Sequence, residues 1–369
     1  MNGQVITSTR AAESVKAVPS RTLLSWHRWG GLIATLVLFI AALTALPLVY
    51  KKHLIRWIVM PGESLPATYD IERMGAELDL LATRVPDIET YLIKAPNPDE
   101  PYWMLTGADD HLHAYALGTV EPVGQDHWLF DALVITRELH VELMAGLFGE
   151  YLLLIGALIA VALGITGVIL WWPARKGFRL RWIFPSRRQF KVQLLMQYHR
   201  HSGALSSLIV TLVSLGGALL LWQSLVFPLL PAQPFTAQAQ PMQNAADAQP
   251  SQLLEHAVAA VPDGWPTYVR LGTEGAAQAS VRFRLPGEWH PNGRTSVIFD
   301  FVTSEVRVSE RSDAASISRR LINQAYPLHA GYGMNEVYLF LVFISAVAML
   351  WLGVTGVISY FRRLGLRKG

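Results

Sequence analysis

Cysteine is absent from all 369 residues. The chain therefore has no disulfide framework, no Cys-ligated iron–sulfur cluster, no thiol nucleophile and no C-x-x-C-H site for covalent haem. Any metal must be held by His, Met or oxygen. Charge is scarce as well: 16% of residues are Asp, Glu, Lys or Arg, against 51% hydrophobic and 12 Trp, which is too apolar for an ordinary soluble domain of this length. The composition is that of an integral membrane protein. Two signatures are also missing. No G-x-G-x-x-G follows a strand pattern, so a dinucleotide has no fingerprint here and an electron donor would have to be a separate molecule. No H-x-x-x-H pair or compact N/S quartet suits structural zinc.

Acid is nearly missing from one set of segments. Residues 1–29, 173–202 and 362–369 hold 16 of the 31 Lys and Arg but a single acid, Glu13, whereas the other polar segments hold 15 basic and 27 acidic residues. Between them run four stretches, 30–50, 150–172, 203–230 and 337–361, uncharged except for Glu150 at the start of the second, each long enough at 1.5 Å per residue to cross a hydrocarbon core of roughly 30 Å. Four spans put both termini on one side, and the basic excess marks that side as cytoplasmic. Residues 1–29 carry no small-residue cleavage site after a short apolar core and are expected to be a cytoplasmic arm; residues 173–202 form a basic cytoplasmic loop and 362–369 a cytoplasmic tail.

Two polar segments of about a hundred residues, 51–149 and 231–336, are then external. The first has a helical pattern at 71–83 and strand-like runs at 91–95, 102–106 and 112–117. The second begins with a Gln-, Ala- and Pro-rich linker (231–250). A helix follows at 252–261, then strands at 268–271, 279–285, 295–301 and 305–308, with Asn292-Gly293 as a hairpin turn. The expected fold is an α-helical membrane protein: a four-helix transmembrane bundle built from a tandem two-helix repeat, carrying two small α+β external domains.

The repeat is written in the letters. LGITGVILWW (163–172) returns as LGVTGVISY (352–360), and His140 and His329 precede these copies at the same offset of 189. H-R-x-x-G occurs at His27-Arg28 to Gly31 and again at His199-Arg200 to Gly203, an offset of 172. A lone histidine at a membrane end is often an interface residue. Four at matched positions argue for a shared task. A pseudo-two-fold axis along the membrane normal would bring His27 towards His199 at the cytoplasmic side and His140 towards His329 at the external side. Two facing imidazoles on bundle helices can ligate one haem iron, so two matched pairs in a chain without Cys lead to the expectation of two non-covalent b-type haems.

Around them, Gly31 and Gly203 would leave room for a flat macrocycle. Arg28 and Arg200 would either pair with propionates or serve as plain positive-inside charge. Gly164 with Gly167, and Gly353 with Gly356, suit close helix packing or a notch for the ring. His201 is the alternative ligand to His199. Because 24 residues separate His140 from Gly164, one ideal helix would span about 36 Å between them, setting the two sites far apart. His111 and His113 read as exposed; His53, His127, His256 and His290 have no repeat partner.

H-R-W-x-G opening the first span, the Leu-His pairs, G-x-T-G-x-x-x-W-W-P closing the second span and H-R-x-x-G opening the third resemble the PepSY-associated transmembrane family. The external units resemble PepSY domains, with Asp300, Thr303, Glu305 and Val306 matching D-x-x-T-G-E-V except that Ser304 replaces Gly; the first unit keeps only Gly118, Thr119 and Val120. The family includes iron-regulated bacterial inner-membrane proteins that bind haem and reduce ferric siderophores, the ferrioxamine B reductases being nearest in architecture. The resemblance implies an enzyme: a di-haem reductase taking electrons from a quinol or flavoprotein and reducing an Fe(III)-siderophore, hydroxamate in type, in the periplasm. The outer pair, His140 and His329, would be the reducing site. Lipid would be its surroundings and nucleic acid no partner. Two other classes are expected to differ: a non-enzymatic PepSY binding or chaperone protein would not need paired histidines, and a permease would need mid-membrane charges or broken helices.

Overall fold

In the computed structural model the described residues are 21–365, except 109, 126, 180–182, 184–191, 227, 228, 230–236, 273–276 and 310. The arm up to residue 20, most of the basic loop, the start of the 231–250 linker and the last four residues of the tail lie outside them.

Helix α1 (Arg21–Val49) is followed by a short α2 (Lys51–Leu54) and a π-helical turn, Ile55–Val59. The first polar segment holds α3 (Ile71–Arg84), strands β1 (Leu92–Lys94), β2 (Trp103–Thr106), β3 (Leu112–Tyr115) and β4 (Pro122–Val123), and then α4 (Trp128–Glu142). Helices α5 (Gly146–Trp171) and α6 (Leu195–Val226) are long and apolar. The second polar segment holds β5 (Ala237–Gln238), α7 (Pro250–Ala260), β6 (Trp265–Arg270), β7 (Gln278–Arg284), β8 (Thr295–Asp300), β9 (Val306–Val308), α8 (Ile317–Asn323) and α9 (Ala325–Ala330), and α10 (Glu336–Gly365) is the last described element.

Four helices, α1, α5, α6 and α10, are long and apolar enough to cross a membrane. They close a ring in which α1 and α6 each pack on both α5 and α10. The helices begin earlier than the uncharged runs that announce them: α1 starts at Arg21 and α6 at Leu195, so His27 and His199 lie inside them rather than ahead of them. Helical propensity continues through polar residues once a turn is nucleated, and apolarity does not mark that end.

The polar segments 51–149 and 231–336 do not form two separate domains. Their strands make one nine-stranded sheet, in the order β4-β3-β2-β1-β6-β7-β8-β9-β5. The seam is the antiparallel pairing of β1 with β6, Ile93 opposite Val269 and Lys94 opposite Tyr268. A single core lies under one face, where Met74, Leu78 and Leu81 of α3 meet Leu253, Leu254 and Ala257 of α7 over Trp103, Leu105, Val281, Phe283 and Phe299. Because side chains alternate along a strand, Tyr102 and Met104 point to the other face and pack with Ile55, Met60, Leu129, Phe130 and Leu133. That second layer joins the sheet to α4 and to the segment leaving α1.

Local chemistry explains the turns. Asp70 caps α3 by accepting from the Arg73 amide at 2.9 Å. Asp300 accepts from the Val302 and Thr303 amides at 3.1 and 2.9 Å, and Ser304 takes φ +58°, the left-handed geometry that glycine adopts without strain at such a turn. Asn292-Gly293 falls in the longer connection between β7 and β8, not in a two-residue hairpin. Its Gly293, at φ +64°, would place a Cβ 1.8 Å from the Phe283 carbonyl. The break that matters most is between α4 and α5. Leu143 and Met144 both have positive φ, 55° and 54°, so α4 turns back instead of running on into α5. That reversal lowers His140 into the bundle.

Candidate functional site

The reversal sets His140 beside α1, its Nδ1 3.0 Å from the Ala41 carbonyl and 3.0 Å from Thr44 Oγ1. Across the bundle, α9 brings His329 against α6, with Nδ1 2.9 Å from the Val213 carbonyl. Ala41 and Val213 are themselves 172 residues apart, the offset of the H-R-x-x-G copies. At the basic end of the bundle the same bookkeeping holds. His27 Nδ1 lies 2.9 Å from Thr166 Oγ1 and His199 Nδ1 3.1 Å from Thr355 Oγ1.

These partners fix the tautomer of every ring. A carbonyl can only accept, so His140 and His329 must carry their proton on Nδ1. Thr166 spends its hydroxyl proton on the Ala162 carbonyl at 2.7 Å and Thr355 on the Trp351 carbonyl at 2.7 Å. Each is then an acceptor for its histidine. All four imidazoles therefore present a bare Nε2 lone pair, which is how second-shell bonds prepare histidine for a metal.

The bare nitrogens meet in pairs. His140 Nε2 lies 3.5 Å from His329 Nε2, with ring centroids 5.8 Å apart and planes at 35°. His27 and His199 have centroids 6.4 Å apart and planes at 84°. Two lone pairs facing each other at 3.5 Å repel unless an electrophile lies between them. An imidazole on a first-row metal bonds at about 2 Å, so two such bonds in line need about 4 Å. The sheet-end pair is already within half an ångström of that. Among the described residues no group of three or more His, Asp or Glu gathers as a metal site. Each pair brings two imidazole nitrogens to one level of the bundle.

The PepSY-associated TM region model matches residues 24–363. The chain belongs to that family. Comparison with the curated proteins finds no match.

In this PepSY-associated protein the glycines divide differently from the expectation. A Cβ on Gly31 would touch Leu163 at 3.9 Å, and one on Gly203 would touch Leu352 at 3.2 Å, so these two pack helix on helix and do not face the histidines. The glycines that touch imidazole are others: a Cβ on Gly167 would lie 3.4 Å from His27 Cε1, on Gly356 3.3 Å from His199 Cε1, and on Gly217 2.9 Å from His329 Cε1. Gly164 is a packing residue, its Cβ position 2.1 Å from Thr211 Oγ1, and Gly353 lies against Thr35 and Phe39.

His201, the alternative to His199 in the expectation, stands apart from the pair. It is 2% exposed and accepts from Trp171 Nε1 at 3.0 Å, which turns it away from the His27–His199 pair. Arg28 is exposed and Arg200 half-buried at the basic end. His111 is exposed, as expected, but His113 is half-buried against Tyr91. The separation between the two pairs also shrinks. On α1, Ala41 is 14 positions after His27, about 21 Å of helical rise rather than about 36 Å. Sequence reasoning passed over Thr166 and Thr355, although the threonine of G-x-T-G repeats as faithfully as its glycines. It also passed over Gly217, which has no counterpart in the other half, where Ala45 stands.

Proposed function

We propose that this protein is a di-haem b-type oxidoreductase of the bacterial inner membrane that reduces an Fe(III)-siderophore in the periplasm and releases Fe(II). The observation that carries the reading is the pairing of bare Nε2 atoms, 3.5 Å apart at the sheet end, each fixed by a bond from Nδ1. The donor set fits iron held in a tetrapyrrole: His27 with His199 for one, His140 with His329 for the other. When bound there, the group would supply reversible one-electron transfer.

The chain's own residues do the rest. Ala41, Thr44, Val213, Thr166 and Thr355 hold the ring planes and keep Nε2 unprotonated. Gly167, Gly356 and Gly217 let helix backbone approach the imidazoles. The apolar bundle excludes water between the two levels. On this reading residues 1–29 and 362–369 are cytoplasmic and the sheet is periplasmic and PepSY-like. The matched offsets reflect duplication of a two-helix unit, the donor is a quinol or flavoprotein, and the sheet-end pair is the reducing site. Reduction releases iron because hard oxygen chelators hold the ferrous ion less tightly than the ferric ion.

The test uses the full chain loaded with haem and reduced by dithionite in the absence of oxygen. Adding a ferric hydroxamate siderophore should restore the oxidised spectrum at the sheet-end site and give Fe(II), trapped by a ferrous-specific chelator. His140→Ala should abolish the reoxidation. A protein with two reducible haems that no ferric siderophore reoxidises would overturn the substrate assignment.

A further inference from the structure

Directly beyond the sheet-end histidines lies a cluster of cations with too few carboxylates. Glu100, 6% exposed, is shared by two lysines: Lys52 Nζ reaches it at 2.9 Å and Lys94 Nζ bonds the same oxygen. Burial pushes the Glu100 carboxyl up, but the two ammonium groups outweigh it and hold the carboxyl down at about 2. That acid is fully committed. Lys51 and Arg56, both half-buried, have no carboxylate of their own among the described residues. Burial and the neighbouring Lys94 lower the Lys51 ammonium to about 8, with Glu100 opposing them and Arg137 and Lys52 adding to them. Tyr102 is 0% exposed and its hydroxyl has no hydrogen-bond partner, which is a costly state for a buried polar atom. It sits in the field of Glu100, Tyr332 and Arg56.

The cluster is tied to the histidine pair. Tyr332, three residues after His329, donates to the Leu48 carbonyl at 3.1 Å and accepts from the Lys52 amide at 3.4 Å, and Lys52 Nζ lies 4.8 Å over its ring. From the α1 side, Lys51 follows Thr44, the neighbour of His140, by seven residues, just past the end of the helix at Val49. An unpaired cation and an unpaired hydroxyl at that height call for an anionic oxygen ligand. A tetrapyrrole gripped at its centre by His140 and His329 carries its carboxylates at its rim, on two-carbon arms.

We propose that Lys51, Arg56 and the Tyr102 hydroxyl are the socket for the carboxylate arms of a tetrapyrrole held by His140 and His329. The socket rests on the haem reading above. It would set the rotation of the macrocycle about the His140–His329 axis, and it gives the sheet end an anchor that the basic end must find elsewhere.

The experiment compares haem with its dimethyl ester, which keeps the ring and lacks the charge. Both are titrated into the haem-free full chain in neutral-lipid nanodiscs, in a His27→Ala background so that only the sheet-end site fills. The parent should bind the diacid about tenfold more tightly than the ester. Lys51→Gln should erase that preference, and Lys51→Arg should keep it, which guards against a folding defect. A preference that survives Lys51→Gln, or no preference in the parent, overturns the socket while leaving the histidine reading intact. Equal haem binding after His140→Ala in the same background overturns the histidine reading instead, and no haem bound by any form overturns both. If Lys51→Gln leaves haem binding unchanged but removes anionic lipid retained in native mass spectrometry, the cluster is a lipid site and the proposal fails.

Discussion

Each of the four paired imidazoles is held by what its Nδ1 proton finds, and that makes the threonines as consequential as the histidines. Thr166→Val and Thr355→Val remove the acceptors while keeping the volume. Haem affinity at the basic end should fall about 10- to 100-fold in each, the usual cost of losing an outer-shell partner, with the sheet-end spectrum unchanged; haem titration followed by absorbance checks both statements. Ring planes give a second signature. At 84° the His27–His199 planes are close to perpendicular, and at 35° the His140–His329 planes are nearer parallel, so the loaded ferric protein should show two distinct low-spin signals in electron paramagnetic resonance. The more anisotropic signal should vanish in His27→Ala.

A residue outside the pairs supplies a pH dependence. His290, 4% exposed, packs its ring 5.2 Å from Tyr326. Burial lowers its pKa to about 3, assisted by Arg294, Arg282 and Arg284, while Glu288 is the one carboxylate in this arginine neighbourhood. A depressed histidine is neutral when folded and takes up a proton when unfolded. Its stabilisation is therefore complete above pH 6.5 and is lost progressively as pH falls towards 3. Between pH 7 and pH 5 the loss is about 2 kcal/mol. Hydrogen exchange of the sheet should steepen accordingly in the wild type and much less in His290→Gln.

At the level of elements, the two classes of glycine make opposite demands. Gly217→Ala would set a Cβ 2.9 Å from His329 Cε1, whereas Gly31→Ala meets Leu163 only at ordinary contact distance, 3.9 Å. The first should displace His329 and lose haem at the sheet end; the second should keep full haem content, as read from the absorbance ratio of haem to protein. The long apolar runs and the alternating strands were legible because burial writes period and length into sequence. β4 and β5 were not, since two-residue edge strands leave no pattern. Nor was α4, whose existence depends on a turn at Leu143 and Met144, residues that only tertiary packing forces to positive φ. The spatial pairing of the histidines was legible from offsets alone, but the placing of His201 against Trp171, which reaches from another helix, was not.

For the molecule as a whole, the side assignment rests on the basic excess in three segments: 16 of 31 Lys and Arg against one acid. Reporter fusions at the C-terminus should read cytoplasmic and one after Pro98 external; an external C-terminus would invert the direction of electron flow. The joining of the two polar segments had no local sign, because β1 meets β6 across 176 residues, from Ile93 to Val269.

That seam has a mechanical meaning. A carrier works by rocking one half against the other, and each half of this chain carries, between its two long helices, strands that share backbone hydrogen bonds and a common core with those of its twin. Any rocking would have to shear the β1–β6 ladder and slide α3 over α7. The sheet acts as a buckle across the top of the bundle. Alternation would cost those bonds and contacts in every cycle, whereas the electron transfer proposed above would ask only that His140 and His329 keep their spacing.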